Sequence, residues 1–155
     1  MKNIFLALFV ALASSVQAEM QHYDVGSLKD IQTQYEGREF LLILWSHDCP
    51  PCRRELEYLE TIQKQQALKN IVLINTDGKD ELVIVEKILT SHNLMVLDNW
   101  IFSNANIERL RYSIDENWAG ELPKSYFYLP SHQRRAKSGS LSIELLKRWL
   151  ENIQP

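Results

Sequence analysis

Two cysteines are all that this 155-residue chain contains, too few for a fold stapled together by disulfides. Stability has to come from packing, which leaves the thiols free for other work. Basic residues form no block longer than a pair such as Arg134-Arg135, and the formal net charge is −3, so nucleic acid is not an expected partner. There is no Gly-rich phosphate loop and no Ser/His/Asp arrangement. His22, His92 and His132 share no ligand spacing with one another or with the cysteines, which leaves a zinc site short of ligands. No metal and no cofactor are expected. Repeats, low-complexity tracts and Pro/Gly/Ser-rich linkers are also missing, so residues 19–155 read as one domain with one core.

The long apolar run that a membrane span requires is missing as well. Lys2 gives a positive start, and Ile4 to Ala13 form an apolar stretch too short to cross a bilayer comfortably. Val16-Gln17-Ala18 offers the small residues of a cleavage site. Residues 1–18 therefore read as a secretory signal peptide, cleaved after Ala18. The competing reading is an uncleaved, membrane-anchored form; in either case the remainder is exported to the periplasm or its equivalent. No lipobox cysteine precedes Glu19, which argues against a lipoprotein.

What is present is concentrated at Cys49-Pro50-Pro51-Cys52, where an apolar run ends and a helical pattern begins. Two thiols separated by two residues can close a small disulfide, and exchange proceeds by thiolate attack through a mixed disulfide. At a helix start, unpaired amides and the positive end of the dipole stabilise the first thiolate. Pro50 and Pro51 occupy early helical positions where a missing N–H does least harm. They also remove two donors, leaving the Cys52 amide as the nearest. A milder thiolate, and so a reductant or exchange role, is expected.

Around that motif the periodicities alternate. Leu28, Ile31 and Tyr35 suggest a short helix closed by Gly37. Phe40-Leu41-Leu42-Ile43-Leu44-Trp45 reads as a strand buried on both faces. Leu56, Leu59 and Ile62 mark an amphipathic helix from Pro51 to about Gln66. Ile71-Val72-Leu73-Ile74 is a second buried strand, which makes the pair a parallel crossover, and Asp77-Gly78 is a turn. Leu82, Val85 and Leu89 mark a further helix, with an extended segment expected at Met95-Val96-Leu97. Ile107 to Ile114 reads as helical inside an otherwise irregular region from Asn99 to Gly120. Tyr126-Phe127-Tyr128-Leu129 is a strand. A short strand is one reading of Arg135 to Ser138, which pattern alone does not establish, and Arg134-Arg135 reads as a solvated loop. Leu146, Trp149, Leu150 and Ile153 line one stripe of a last helix.

The segment Trp45-Ser46-His47-Asp48-Cys49-Pro50-Pro51-Cys52-Arg53-Arg54-Glu55 resembles the W-x-x-x-C-x-x-C-x-x-E stretch of exported thioredoxin-like proteins of the TlpA, ResA and CcmG type. Leu122-Pro123-Lys124-Ser125-Tyr126-Phe127-Tyr128-Leu129 is similar to that family's proline-led strand, whose X-Pro bond is cis. The resemblance implies an α/β, thioredoxin-like fold with a central mixed β-sheet flanked by helices. It implies Cys49 as the exposed nucleophile, Cys52 as the buried resolving thiol and Glu55 as a participant in acid-base chemistry, the alternative being a solvated helix residue. Pro123 would shape a groove for an extended partner chain, with the Leu122 backbone open to strand-like pairing. Trp45 would pack beneath the site, and His47, Asp48, Pro50 and Pro51 would border it.

The resemblance also implies protein thiols or disulfides as partners, such as apocytochrome c, another exported protein or a metalloprotein site. A membrane electron donor would re-reduce a monomeric carrier. Two positions depart from the pattern. Ile43 stands where many thioredoxins have a buried Asp, and Asp48 stands where Trp usually precedes the nucleophile. Asp48 disfavours the Cys49 thiolate, whereas Arg53 and Arg54 favour it. The alternative function is a thioredoxin-fold copper-binding or assembly factor with Cu(I) held between the two thiolates; the lack of a Met-rich segment counts against it.

Overall fold

A computed structural model describes residues 19–65 and 68–152. The expected leader over residues 1–18, Gln66 and Ile153 lie outside them. In chain order the elements are β1 (Gln21–Tyr23), α1 (Ser27–Gln34), β2 (Phe40–Trp45), α2 (Pro50–Gln65) and β3 (Ile71–Asn75). A 3-10 turn (Lys79–Glu81) leads into α3 (Leu82–Ser91), followed by β4 (Asp98–Phe102), α4 (Ile107–Ile114), β5 (Lys124–Tyr128), β6 (Arg134–Ser138) and α5 (Ile143–Asn152).

The strands form one mixed sheet in the order β1-β4-β3-β2-β5-β6. β1, β4, β3 and β2 run parallel, and β5 and β6 are added antiparallel. With β2 and β3 in the centre and helices on both faces, all their residues are buried, which is why they read as unbroken apolar runs. Odd and even positions feed different layers. Leu41, Ile43 and Trp45 of β2 join Leu56, Leu59 and Ile62 of α2, Val85 and Leu89 of α3, and Leu146 and Leu150 of α5. Phe40, Leu42 and Leu44 face the other way, onto Ile31 of α1, Leu110 and Ile114 of α4 and a set of aromatic rings.

Four expectations need correction. The extended segment placed at Met95-Val96-Leu97 is a turn, closed by the Leu97 amide on the Leu94 carbonyl; the strand starts three residues later at Asp98, where pairing with Val72 begins. Consequently the Asn99–Gly120 region, expected to be irregular outside Ile107 to Ile114, also holds most of β4, while the helix expected at Ile107 to Ile114 is α4. Arg134-Arg135 is not a solvated loop but the start of β6, with the Arg134 guanidinium donating to the Tyr128 hydroxyl and the Ile114 carbonyl. Finally, β1 has no counterpart in the sequence reading, because two of its three residues are exposed and no alternation can develop over so short a run.

The connection from α4 to β5 is fixed by local packing. The buried Trp118 donates its indole N–H to the Glu121 carbonyl at 2.9 Å, and the Arg111 guanidinium lies over the Trp118 ring. Gly120 has a φ of +100°, and a Cβ there would come 2.8 Å from Arg111 Cζ. The backbone angle is what demands glycine; the guanidinium is the far end of a flexible side chain and can shift. This connection leads into Leu122-Pro123, whose peptide bond is cis.

Candidate active site

The parallel strands deliver their C-terminal ends to one edge of the domain, and β2 ends there at Trp45. The turn after it is held by its neighbours. The Thr76 amide bonds the Trp45 carbonyl at 3.0 Å, and Asp77 Oδ2 accepts from the His47 amide and from Asn75 Nδ2, each at 2.8 Å. Asp77 was read from the sequence only as part of a turn; its role as the clamp of residues 46–48 had no signal there. The His47 ring places Nδ1 3.1 Å from Asp48 and Nε2 3.6 Å from Glu81. The Asp48 side chain is 86% exposed.

Cys49 and Cys52 are disulfide-bonded, with their Cα atoms 5.2 Å apart. The Cys49 carbonyl accepts the first helical bond, from the Arg53 amide, which makes Cys49 the N-cap of α2. Pro50 and Pro51 are the first two helical residues, so neither proline wastes a hydrogen-bond donor. The Cys52 amide then points back at Cys49 Sγ at 3.2 Å. This is the geometry in which Ser or Asp side chains cap helices, with sulfur in place of oxygen. Cys49 is partly buried and Cys52 is 1% exposed, so a partner can reach only the first sulfur.

One turn beyond Cys52, Glu55 is also only 1% exposed, which excludes a solvated helix residue. Its Oε1 accepts from the Leu141 amide at 3.3 Å, while Oε2 is buried with no hydrogen-bond partner among the described residues. Desolvation pushes its pKa up to about 7, against the opposing effects of the Leu141 amide and the Lys137 charge. A buried carboxyl one turn from Cys52 with a pKa near neutrality can hold or release a proton there. The Ser140 hydroxyl donates to the Pro51 carbonyl at 3.1 Å. The connection between β6 and α5 thus closes over the first turn of α2, which sequence patterns did not show.

Trp45 is 1% exposed and shares a core layer with Cys52, and Cys49 and Leu122 pack against the same layer. Pro123 is buried, and its carbonyl accepts from the Gly139 amide at 2.9 Å. Ile43, at the position of the missing acid, is buried in the layer with Cys52. Among the described residues, no group of three or more His, Cys, Asp or Glu could hold a metal ion, and no helix is long and apolar enough to cross a membrane.

A disulfide closed across two residues at the head of a helix, on a sheet of this order, is the arrangement of a thiol-disulfide oxidoreductase with a thioredoxin-like fold, and that is the class of this chain. No protein-family model matches it. In particular, it is similar to the thiol-disulfide oxidoreductase ResA of Oceanobacillus iheyensis, at 24% identity over 168 residues, covering 96% of this chain and 83% of that protein. It is similar also to the sporulation thiol-disulfide oxidoreductase A of Bacillus subtilis, 24% identical over 133 residues, covering 79% and 73%. Among solved structures, a thiol:disulfide interchange protein of the thioredoxin family from Chlorobium tepidum superposes with a TM-score of 0.60 at 15% identity, covering 79% of this chain and 83% of that one. That likeness speaks for the fold.

Proposed function

We propose that this protein is an exported reductant of protein disulfides that works through Cys49 and Cys52. The Cys49 thiolate attacks a partner disulfide: a Cys49–partner bond forms, the partner's S–S bond breaks, and one partner sulfur leaves as thiolate. Cys52 then gives its proton to Glu55 and attacks Cys49 Sγ. The Cys49–Cys52 bond forms, the mixed disulfide breaks, and the second partner sulfur leaves. Two electrons pass to the partner, and an exported or membrane-bound thiol donor returns them. Pro123 and the Leu122 backbone supply the groove in which the partner chain lies.

The observation that carries the direction is the Cys52 amide aimed at Cys49 Sγ at 3.2 Å, with two prolines between them that have no N–H to add. A thiolate with few donors is a better-matched nucleophile near neutral pH and a less oxidising partner than one stabilised by many. Cys52→Ser should accumulate covalent mixed disulfides through Cys49, and the couple should have a potential near about −270 mV rather than about −120 mV. Stoichiometric Cu(I) binding with no trapped partner would overturn the exchange reaction, and a potential near the upper value would overturn its direction.

A further inference from the structure

Beneath the disulfide, a second polar group is left unmatched. Ser125 lies in β5, is fully buried, and its Oγ has no hydrogen-bond partner among the described residues. Its face is fixed by register. Ser125 stands opposite Ile43 of β2 on one side and Lys137 of β6 on the other, and directly opposed residues of antiparallel strands point to the same face. Ile43 packs in the layer that contains Cys52, and Phe127, two residues on from Ser125, packs against that layer too. The Lys137 charge acts on Glu55. Ser125 therefore projects into the layer that holds Cys52 and Glu55, directly across from the position where the acid of many thioredoxins is replaced by Ile43.

Ser125 Oγ and Glu55 Oε2 are two of four buried polar atoms without partners on this face, together with Trp45 Nε1 and Asn99 Oδ1. An unmatched buried hydroxyl carries a desolvation penalty, and alanine at this position would avoid it. We propose that Ser125 is a positioning residue for the proton that Cys52 gives up, its hydroxyl partnering the second Glu55 oxygen through one water. A hydroxyl suits the task because it donates to the water on the carboxylate and, by rotation, accepts from the water on the protonated acid. When Cys52 attacks Cys49, its S–H bond breaks, a Glu55 O–H bond forms, and Ser125 turns from donor to acceptor. This rests on the exchange reaction proposed above. The groups that face Glu55 are Cys52 on its own helix, Lys137 from β6 and the Leu141 amide from the β6–α5 connection; α5 contributes the apolar Leu146 and Leu150 to the layer.

The test is the pH-rate profile of insulin disulfide reduction by full-length wild type, Ser125→Ala, Ser125→Thr and Glu55→Gln. Loss of a hydrogen bond to the charged form should move the Ser125→Ala profile up by about one pH unit and slow the reaction at pH 7 about fivefold, with Thr restoring most of the rate. In the Glu55→Gln background the Ala substitution should add nothing. A wild-type profile for Ser125→Ala, or additive losses in the double variant, overturns the inference while leaving exchange intact. A wild type unable to reduce insulin overturns the exchange reading and this inference with it. If the alanine variant does not fold, Ser125→Thr against Ser125→Val, matched in shape and different only in the hydroxyl, gives the same contrast and the same two outcomes.

Discussion

The two faces of the sheet handle polarity in opposite ways. On the α1/α4 face the core is largely aromatic, and its polar tips are matched. Asp98 accepts from Tyr35, Trp100, Gln34 and Gln21. Tyr126 donates to Asp115, Arg134 donates to Tyr128, and Tyr23 pairs with Ser113; Arg111 Nε is the unmatched atom recorded there. On the α2/α3/α5 face the core is largely aliphatic, yet Trp45 Nε1, Glu55 Oε2 and Ser125 Oγ are buried without partners. Buried polar groups are normally satisfied. Four of the six unmatched atoms among the described residues, these three and Asn99 Oδ1 of β4, lie on the face that carries the disulfide, so the aromatic face anchors the fold while the aliphatic face holds polar groups ready for chemistry.

That division can be broken by substitution. The largest effect is expected from Phe40→Ala: the ring is fully buried and stacked between Tyr35 and Tyr128, at 4.8 and 4.3 Å, and its loss should cost about 3–5 kcal/mol in urea unfolding. The reduction potential should stay at the wild-type value; a shift would show that the faces are not independent.

Next comes the pH dependence of the oxidised protein. The folded state holds the Glu55 proton up to about pH 7, whereas the unfolded chain loses it near 4.5. Between those values the folded state binds more protons, so stability falls as pH rises. The advantage is fully present below about 4.5 and gone above about 7, a change of about 3 kcal/mol. Glu55→Gln should flatten this slope and exceed wild-type stability at pH 8; parallel curves for the two proteins would remove Glu55 from the account.

The smallest effect belongs to Arg134→Met on the aromatic face. The guanidinium bonds the Ile114 carbonyl at 2.6 Å and the Tyr128 hydroxyl at 2.9 Å, and it lies 4.6 Å from the Tyr126 ring centroid. A loss of about 1–2 kcal/mol in stability with unchanged insulin reduction is expected. A fall in turnover instead would extend the chemistry across the sheet.

Much of this was legible from residue order because period and burial coincide. β2 and β3 are covered on both faces and announce themselves as apolar runs; α2 and α5 carry their stripes, and Cys49-Pro50-Pro51-Cys52 marks the junction of strand and helix. Short or edge elements were not legible. β1 spans three residues, β6 is Arg-Arg-Ala-Lys-Ser with four of five exposed, and β4 opens on Asp98-Asn99, whose polar side chains look like loop. Met95, Val96 and Leu97 supplied a false apolar signal just before it: Val96 is exposed, and Leu97 is buried in a turn closed on Leu94. Within the site, the local motif gave Cys49, Cys52 and Glu55. Asp77, Ser125 and Leu141 reach it from distant strands and connections, and no local pattern encodes such approaches.

The contact between Gly120 and Arg111 ties together two positions nine residues apart. Any side chain at 120 meets the guanidinium at 2.8 Å and has to adopt a φ of +100° as well, so relief by shortening residue 111 removes the collision and leaves the backbone strain. Position 111 can therefore vary while glycine stays, whereas glycine is held by its backbone angle whatever stands at 111. Redesign of the approach to Leu122 has the helix position to work with and not the loop glycine.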